Sequence, residues 1–282
     1  MLSQAAHAKL NLALHLTGKR ADGYHLLESL VVFTELADQL SAEKADGLSL
    51  QVTGEFAEEA GDLENNLVLR AARLLQAETG YTGGVALRLE KNIPVGGGLG
   101  GGSSDAAATL RVLNDLWQLG LGEAQLMKLA ARLGADVAVC VPSKPAIMRG
   151  IGEIVTLLTQ PVPPLHAVLA HPRVPLLTAQ VYAMVDALRG GAIGEPPQNG
   201  WLDAVQAMRN DLQRPAIAAT PIVAEMLLAM ETASPVPLLV RMTGSGACCF
   251  ALFGDADRAA THAAQLRVQY PHCWVCVTGL RR

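Results

Sequence analysis

The sequence predicts an α+β chain, and three observations carry that reading. Residues 8–16, Ala-Lys-Leu-Asn-Leu-Ala-Leu-His-Leu, alternate with the two-residue period of a strand. Other segments repeat apolar residues at helical spacing between Asn, Gly and Pro stops. Strands and helices nevertheless follow one another without the regular alternation of a doubly wound parallel sheet. A length of 282 residues suits one large domain or two moderate ones, and Gln160-Pro-Val-Pro-Pro164 is the strongest break. We therefore expect domains at 1–160 and 161–282.

The first strand puts Leu10, Leu12, Leu14 and Leu16 on one face and Lys9 and Asn11 on the other. Thr17 to Gly23 is a turn-rich loop leading to Tyr24-His25, and Leu26 to Leu36 resumes an apolar pattern. Strand-like runs recur near 47–53 and 85–90. Asn65-Asn66 precedes a helix carrying Leu69, Ala72 and Leu75, with Gly80 as its stop. A helix is expected from Ser103 or Ser104, as N-cap, through Leu110, Leu113 and Trp117, and another over Glu123 to Leu133. Asp136 follows Gly134 and precedes the apolar run 137–141. Ala167 to Ala170 reads as a strand, Ala179 to Leu188 as a helix and Gly190 to Gly200 as a flexible surface loop. Pro221 to Glu231 is helical and Leu238 to Arg241 a strand. Thr243-Gly244-Ser245-Gly246 is a second glycine-rich turn before Ala247 to Phe253.

Composition narrows the function. A formal charge of −4, no long Lys/Arg run and 4% aromatic residues leave little for nucleic-acid recognition. No apolar stretch reaches the roughly 18 residues of a membrane span, and Met1 to His7 lacks a signal peptide's apolar core, so a cytoplasmic protein is expected. Five cysteines, Cys248 and Cys249 adjacent, do not form a disulfide framework. Cys273 and Cys276 have knuckle spacing but no second pair completes a metal site, so buried strand thiols are the expected reading.

The segment with most chemical content is Pro94-Val95-Gly96-Gly97-Gly98-Leu99-Gly100-Gly101-Gly102-Ser103-Ser104, which runs into Asp105 and a helix. Glycines reach positive φ without strain and let successive N–H groups close around a phosphate. The following helix adds free N–H groups and the positive end of its dipole. The Walker pattern is absent, because no lysine follows the last glycine. A dinucleotide pattern matches formally at Gly96, Gly98 and Gly101, but Val85 to Glu90 alternates as a half-exposed strand, unlike the buried strand that precedes such loops. The loop is read as a nucleotide-phosphate cradle.

Together, Ala8-Lys9-Leu10-Asn11-Leu12, Pro94 to Ser104 and Thr243 to Ala247 resemble the three motifs of the galactokinase, homoserine kinase, mevalonate kinase and phosphomevalonate kinase (GHMP) superfamily. Within it, Lys9 to Leu12, Arg20-Ala-Asp-Gly-Tyr-His25, Gly96 to Ser104 and Leu133-Gly-Ala-Asp-Val137 resemble the branch that acts on 4-diphosphocytidyl-2-C-methyl-D-erythritol, over about residues 7 to 254. The resemblance implies a two-domain GHMP kinase fold with the active site in the interdomain cleft. The N-terminal domain would bind ATP and catalyse, and the C-terminal domain would bind substrate. The implied reaction is ATP-dependent phosphorylation of that substrate's 2-hydroxyl, giving the 2-phosphate and ADP, in the non-mevalonate isoprenoid pathway. Mg²⁺ is expected to bridge ATP oxygens, with Ser104 as a direct or water-mediated contact. No carboxylate cage is readable, and Asp105 is explained by its place in a helix's first turn. The expected partners are these small molecules, in a monomer or weak homodimer.

Site residues follow from the same resemblance. On the residues alone, Asp136 reads as a turn or capping residue and Lys9 as a solvated strand lysine. The resemblance makes Asp136 the general base, and Lys9 its partner within about 4–6 Å, keeping it ionised. Asn11 would hold substrate or orient Lys9. Tyr24 would stack on cytosine and His25 would hydrogen-bond its edge, although either fits a loop anchor. Tyr182, following Thr178, matches the second stacking aromatic or is helix core, and Thr178 is carried over with it as a substrate contact. Asn66, Leu67 and Lys91 would serve adenine and ribose, while capping and surface exposure are their plain alternatives. His7, Ala138 and Cys140 depart from the family's usual proline, proline and phenylalanine, changing the packing beside the base. Homoserine or mevalonate kinase is the nearest alternative, and Tyr24-His25 argues against it. A nucleotide-binding regulator without turnover is an alternative of another class, opposed by Lys9 and Asp136.

Overall fold

The computed structural model describes residues 1–281. Its strands form a six-stranded and a four-stranded sheet. The first contains β1 (Leu2–Lys19), β2 (His25–Ala45), β3 (Leu48–Thr53), β4 (Gly84–Glu90), β5 (Ala146–Gly150) and β6 (Ile154–Leu157), in the order β3-β4-β2-β5-β6 with β1 paired to β2. The second is an antiparallel sheet of β7 (His166–His171), β8 (Leu239–Met242), β9 (Cys249–Phe253) and β10 (Trp274–Gly279), ordered β10-β7-β9-β8. This is the mixed architecture expected from irregular strand–helix order.

The chain resolves into two compact units that interleave in sequence. One comprises Met1–Lys9, Leu36–Val95 and Gly100–Ser143; the other comprises Leu10–Glu35, Gly96–Leu99 and the residues from Lys144 onward. The break read at 160/161 lies inside the second unit. Units interleave because β1 and β2, at 18 and 21 residues, each contribute to both.

In the first unit, β3 and β4 pair in parallel, with Leu48 opposite Val85. Such a pair requires a crossover, supplied by α1 (Leu67–Thr79). Asn66 caps α1 through Val68 N–H at 2.9 Å, Leu69, Ala72 and Leu75 are buried, and Gly80 ends it at φ 68°. Next, α2 (Gly101–Leu116) packs against α1 and a short α4 (Val137–Cys140), with α3 (Glu123–Ala131) alongside. Ser103 and Ser104 do not cap α2. Gly100, left-handed at φ 66°, takes that place, and both serines fall in the first turn. Glycine lets the chain enter the helix earlier than a serine cap would.

In the second unit, α8 (Ile222–Thr232) and α9 (Ala256–Gln269) pack on the four-stranded sheet, where β9 is buried throughout. Helix α5 (Thr178–Ala183) is shorter than the 179–188 expected, and residues 184–200 have no regular structure. Side chains fasten the segment instead. Gly190 O accepts from Arg209 at 2.5 Å, Gly191 O from His15 Nδ1 at 3.0 Å, and Glu28 accepts Ile193 N–H at 2.7 Å. Arg209 N–H points at His15 Nε2, which leaves Nδ1 as the protonated nitrogen. Glu195 accepts from the backbone of Thr159 and Gln160. Helices α6 (Trp201–Ala207) and α7 (Gln213–Ala219) complete the unit. All five cysteines are free, with Cys140, Cys248 and Cys249 buried.

Arg241 is buried with no carboxylate bonded to it among the described residues; its guanidinium donates to the carbonyls of Leu12, Val205, Gln206 and Met208. Three of those carbonyls close the C-terminal end of α6, where a cation is favourable. We expect Arg241→Met to lower unfolding stability by about 3 kcal/mol, because it strands several buried acceptors. Chemical denaturation with a changed midpoint and unchanged slope is the check.

Candidate active site

Strand β1 places Lys9 and Asn11 two residues apart, with their side chains on one side. Lys9 is 2% exposed, and its Nζ lies 3.2 Å from Asp136 Oδ2, whose side chain is 44% exposed. Asp136 stands at the N-terminal end of α4, after the Gly134 turn. Next to it, Cys140 Sγ donates to Asp136 O at 3.2 Å, and Ser104 Oγ lies 3.4 Å from the sulfur. Burial pushes the Cys140 thiol up to about 11, so it remains a neutral packing group beside the carboxylate.

The glycine loop contributes to both units. Residues 100–104 belong to the first. Gly100 is left-handed, and a Cβ there would lie 3.1 Å from Lys9 Cε, so the lysine stem runs under the start of α2. Gly102 is exposed, and a Cβ there would meet only Leu67 Cδ1, at 3.7 Å. Leu67 and α2's N-terminal N–H groups therefore neighbour one another. Ser104 is buried and donates to His7 O at 2.7 Å, which leaves Ser103 as the partly exposed hydroxyl. Lys91 is 3% exposed rather than a surface lysine: its ammonium is bonded to Asp38 and, at 2.8 Å, to Asp105. Asn66 uses its side-chain oxygen as the α1 cap. Of the lead-in residues, Pro94 is buried and Val95 exposed.

Gly96–Leu99 belong to the second unit. Gly96 and Gly98 have φ of 72° and 74°, alternating with Gly97 and Leu99 outside the left-handed region. Alternation of this kind turns neighbouring N–H groups toward one concavity and suits an anion. The loop is docked on the second glycine turn: Cys248 N–H donates to Gly97 O at 3.1 Å and Thr243 Oγ1 to Gly98 O at 3.3 Å. A side chain on Gly98 would run into the Thr243 carbonyl, and one on Gly97 would meet the His171 ring at 3.1 Å. Asn210 supports the turn from behind, donating to the carbonyls of Met242 and Gly244, both at 2.8 Å. Asn11 is tied to the same turn, its N–H bonding Thr243 Oγ1 at 2.9 Å and its Nδ2 bonding Ser29 at 2.7 Å.

Also in this unit, the His25 and Tyr182 rings lie 5.4 Å apart at 33°, and Tyr24 is 61% exposed. Burial, assisted by Lys19, lowers the His25 pKa, favouring a neutral imidazole that can both donate and accept. Thr178, one helical turn before Tyr182, shares a 2.8 Å hydrogen bond with Ser245. The structure thus joins Lys9 to Asp136, His25 to Tyr182, and Thr178 and Asn11 to the second glycine turn. Asp38, Ser29 and Asn210 carry no readable signal in the sequence, whereas Thr243 and Ser245 lie in the glycine-rich turn already read there as a motif.

Comparison with known proteins places the chain in a family. The GHMP kinases N terminal domain matches residues 66–144 and the GHMP kinases C terminal domain residues 198–272. A 4-diphosphocytidyl-2-C-methyl-D-erythritol kinase of Paramagnetospirillum magneticum is 45% identical over 98% of this chain and 97% of its own. One of Cereibacter sphaeroides is 45% identical over 98% of both chains. A solved 4-(cytidine 5'-diphospho)-2C-methyl-D-erythritol kinase superposes with a TM-score of 0.82 at 34% identity, over 100% of each chain. Homoserine kinase from Cytophaga hutchinsonii, at 17% identity, TM-score 0.75 and 98% and 93% coverage, shares the fold. Full-length identity at this level, on a chain with both GHMP domains, assigns it to the family of 4-diphosphocytidyl-2-C-methyl-D-erythritol kinases.

Proposed function

We propose that this kinase transfers the γ-phosphoryl group of ATP to the 2-hydroxyl of 4-diphosphocytidyl-2-C-methyl-D-erythritol, giving the 2-phosphate and ADP in the non-mevalonate isoprenoid pathway. Beside family membership, the observation that carries the reading is the 3.2 Å contact of a buried Lys9 with a half-exposed Asp136. As the hydroxyl oxygen bonds to the γ-phosphorus, the bond to the β-phosphate oxygen breaks and the hydroxyl proton passes to Asp136. Lys9, 3.2 Å from the Asp136 carboxylate, neutralises charge developing on the transferring group. Cys140 and Ser104 fix the turn that aims the carboxylate.

ATP is assigned to Pro94–Ser104, with the phosphates on the loop and α2's first turn and the adenosine against Asn66, Leu67 and the Lys91 segment. Magnesium, bound with ATP, neutralises phosphate charge. Ser103 and Asp136, both partly exposed, would be the side-chain oxygens to hold it, Ser104 being buried on His7 O; no cluster of three His, Cys, Asp or Glu side chains suited to a metal occurs among the described residues. Tyr24, His25 and Tyr182 are assigned to the cytosine, and Asn11 and Thr178 to the rest of the substrate. Residues 1–160 accordingly carry ATP binding and catalysis, and Thr178 and Tyr182 are the contribution of 161–282. No helix among the described residues is long and apolar enough to cross a membrane.

The deciding experiment is a coupled ADP-release assay with the cytidyl substrate, and with mevalonate and homoserine as controls. Turnover confined to the cytidyl substrate is expected; turnover on a control alone would replace the substrate assignment. We expect Asp136→Asn to fold normally and lose about 10²–10⁴ in kcat, and unchanged kcat would remove it as base. Tyr24→Ala should raise KM for the cytidyl substrate by about 1–3 kcal/mol of lost stacking, leaving ATP affinity as it was. Gly102→Glu adds bulk and negative charge at an open helical position, and calorimetry should show ATP binding lost with the fold intact.

A further inference from the structure

We propose that Asp38, Lys91 and Asp105 form a positioning clamp that holds both ends of the nucleotide loop, so that Lys91 serves ATP through loop geometry rather than by contact. The proposal rests on the reading that Pro94–Ser104 binds ATP. Asp38, fully buried on β2, accepts the backbone N–H groups of Asn92 at 2.5 Å and Ile93 at 2.8 Å through Oδ1, and the Lys91 ammonium through Oδ2. It therefore fixes the chain just before the loop begins. Lys91 passes the linkage on to Asp105, at 2.8 Å, in the turn of α2 where the loop ends. Gly101 sits directly on this arrangement: a Cβ there would be 3.1 Å from Ile93 and 3.3 Å from Lys91 Nζ. Entry, exit and the N–H groups assigned to phosphate are thus set by three side chains that no ligand needs to touch.

The chemistry of the cluster supports a positioning role. Buried ion clusters add little net stability over apolar packing but impose strict geometry. One ammonium faces two carboxyls, and Asp105 Oδ1 has no hydrogen-bond partner among the described residues. Burial first, with the neighbouring Asp38 adding to it and Lys91 opposing, pushes Asp105 up to about 8. A carboxyl held above its ordinary range favours the neutral form, in which one ammonium faces the single carboxylate of Asp38. The charged groups acting on Asp105 are Lys91, after β4, and Asp38, on β2. Lys9 of β1 is turned to Asp136, Arg111 of α2 to the carbonyls of Ala5, Cys140 and Val141, and Arg73 of α1 to Glu64. Once Asp105 ionises, the cluster holds one uncompensated negative charge beneath the loop.

The test measures KM for both substrates from pH 6.5 to 9.5, and the Kd of a non-hydrolysable ATP analogue by calorimetry. For Asp38→Asn and Lys91→Met we expect the analogue's Kd and the KM for ATP to rise about tenfold or more, with the KM for the cytidyl substrate within about twofold. The wild-type KM for ATP should rise as pH passes through about 8, and Asp105→Asn should flatten that rise. If the disruptive variants do not fold, the near-isosteric Asp105→Asn profile decides alone. An alkaline rise that persists in Asp105→Asn, or both KM values moving together, or neither moving, overturns the clamp. Gly102→Glu separates the two readings: if it leaves the analogue's Kd unchanged, the ATP loop itself fails; if it abolishes binding while Asp38→Asn does not weaken it, only the clamp fails.

Discussion

The constraint on which the second unit's share of the site depends is backbone meeting backbone without side chains between. Gly98 comes so near the Thr243–Gly246 turn that a Cβ on it would collide with a carbonyl, and a Cβ on Gly244 would lie 2.9 Å from Gly98 O. Two glycine turns can interlock at that distance only because neither carries a side chain. The hydrogen bonds from Thr243 and Cys248 then hold the register, and Asn210 and Asn11 brace the turn. Loops that would otherwise be mobile are thereby held in one shape, and a rigid ring of N–H groups is what a phosphate site requires.

Three buried cations show how charge is handled away from water. Arg241 is satisfied by carbonyls alone, which makes it structural. Lys91 is enclosed by two carboxyls and raised above the ordinary lysine range, burial being outweighed by Asp105 and Asp38. Lys9 is different, because its partner Asp136 is half-exposed. Its counter-charge faces outward, where solvent can reach it, as the proton transfer proposed above requires. The three environments separate architecture from chemistry without appeal to sequence motifs.

Local signals in the sequence were legible. Leucine alternation marks β1 and the shared face of Lys9 and Asn11, and Asn66 and Gly80 bracket α1. The glycine run announces a loop with an unusual backbone. Pairings made over long separations were not legible. Asp38 meets Lys91 across 53 residues and Asn210 meets Gly244 across 34, and no local pattern encodes either. Polar neighbours Glu90 and Asn92 leave surface exposure open for Lys91 as the plain alternative to a nucleotide role, yet tertiary packing buries it. The serine cap was misplaced because the run of glycines allowed the helix to begin before the serines. The length of α5 was overestimated because the chain beyond it is fastened by His15, Glu28 and Arg209, remote residues that replace helical hydrogen bonds.

The passage of β1 from one unit to the other also bears on how the gene can change. Lys9 closes the first unit's segment and Leu10 opens the second's, while Lys9 and Asn11 share one side of the strand. Single substitutions along the strand disturb one side chain at a time. A one-codon insertion or deletion between them would invert the side on which one of them projects and carry the leucines out of their layer. Drift through this strand is therefore confined to replacement, and variation in length must accumulate in loops outside such strands.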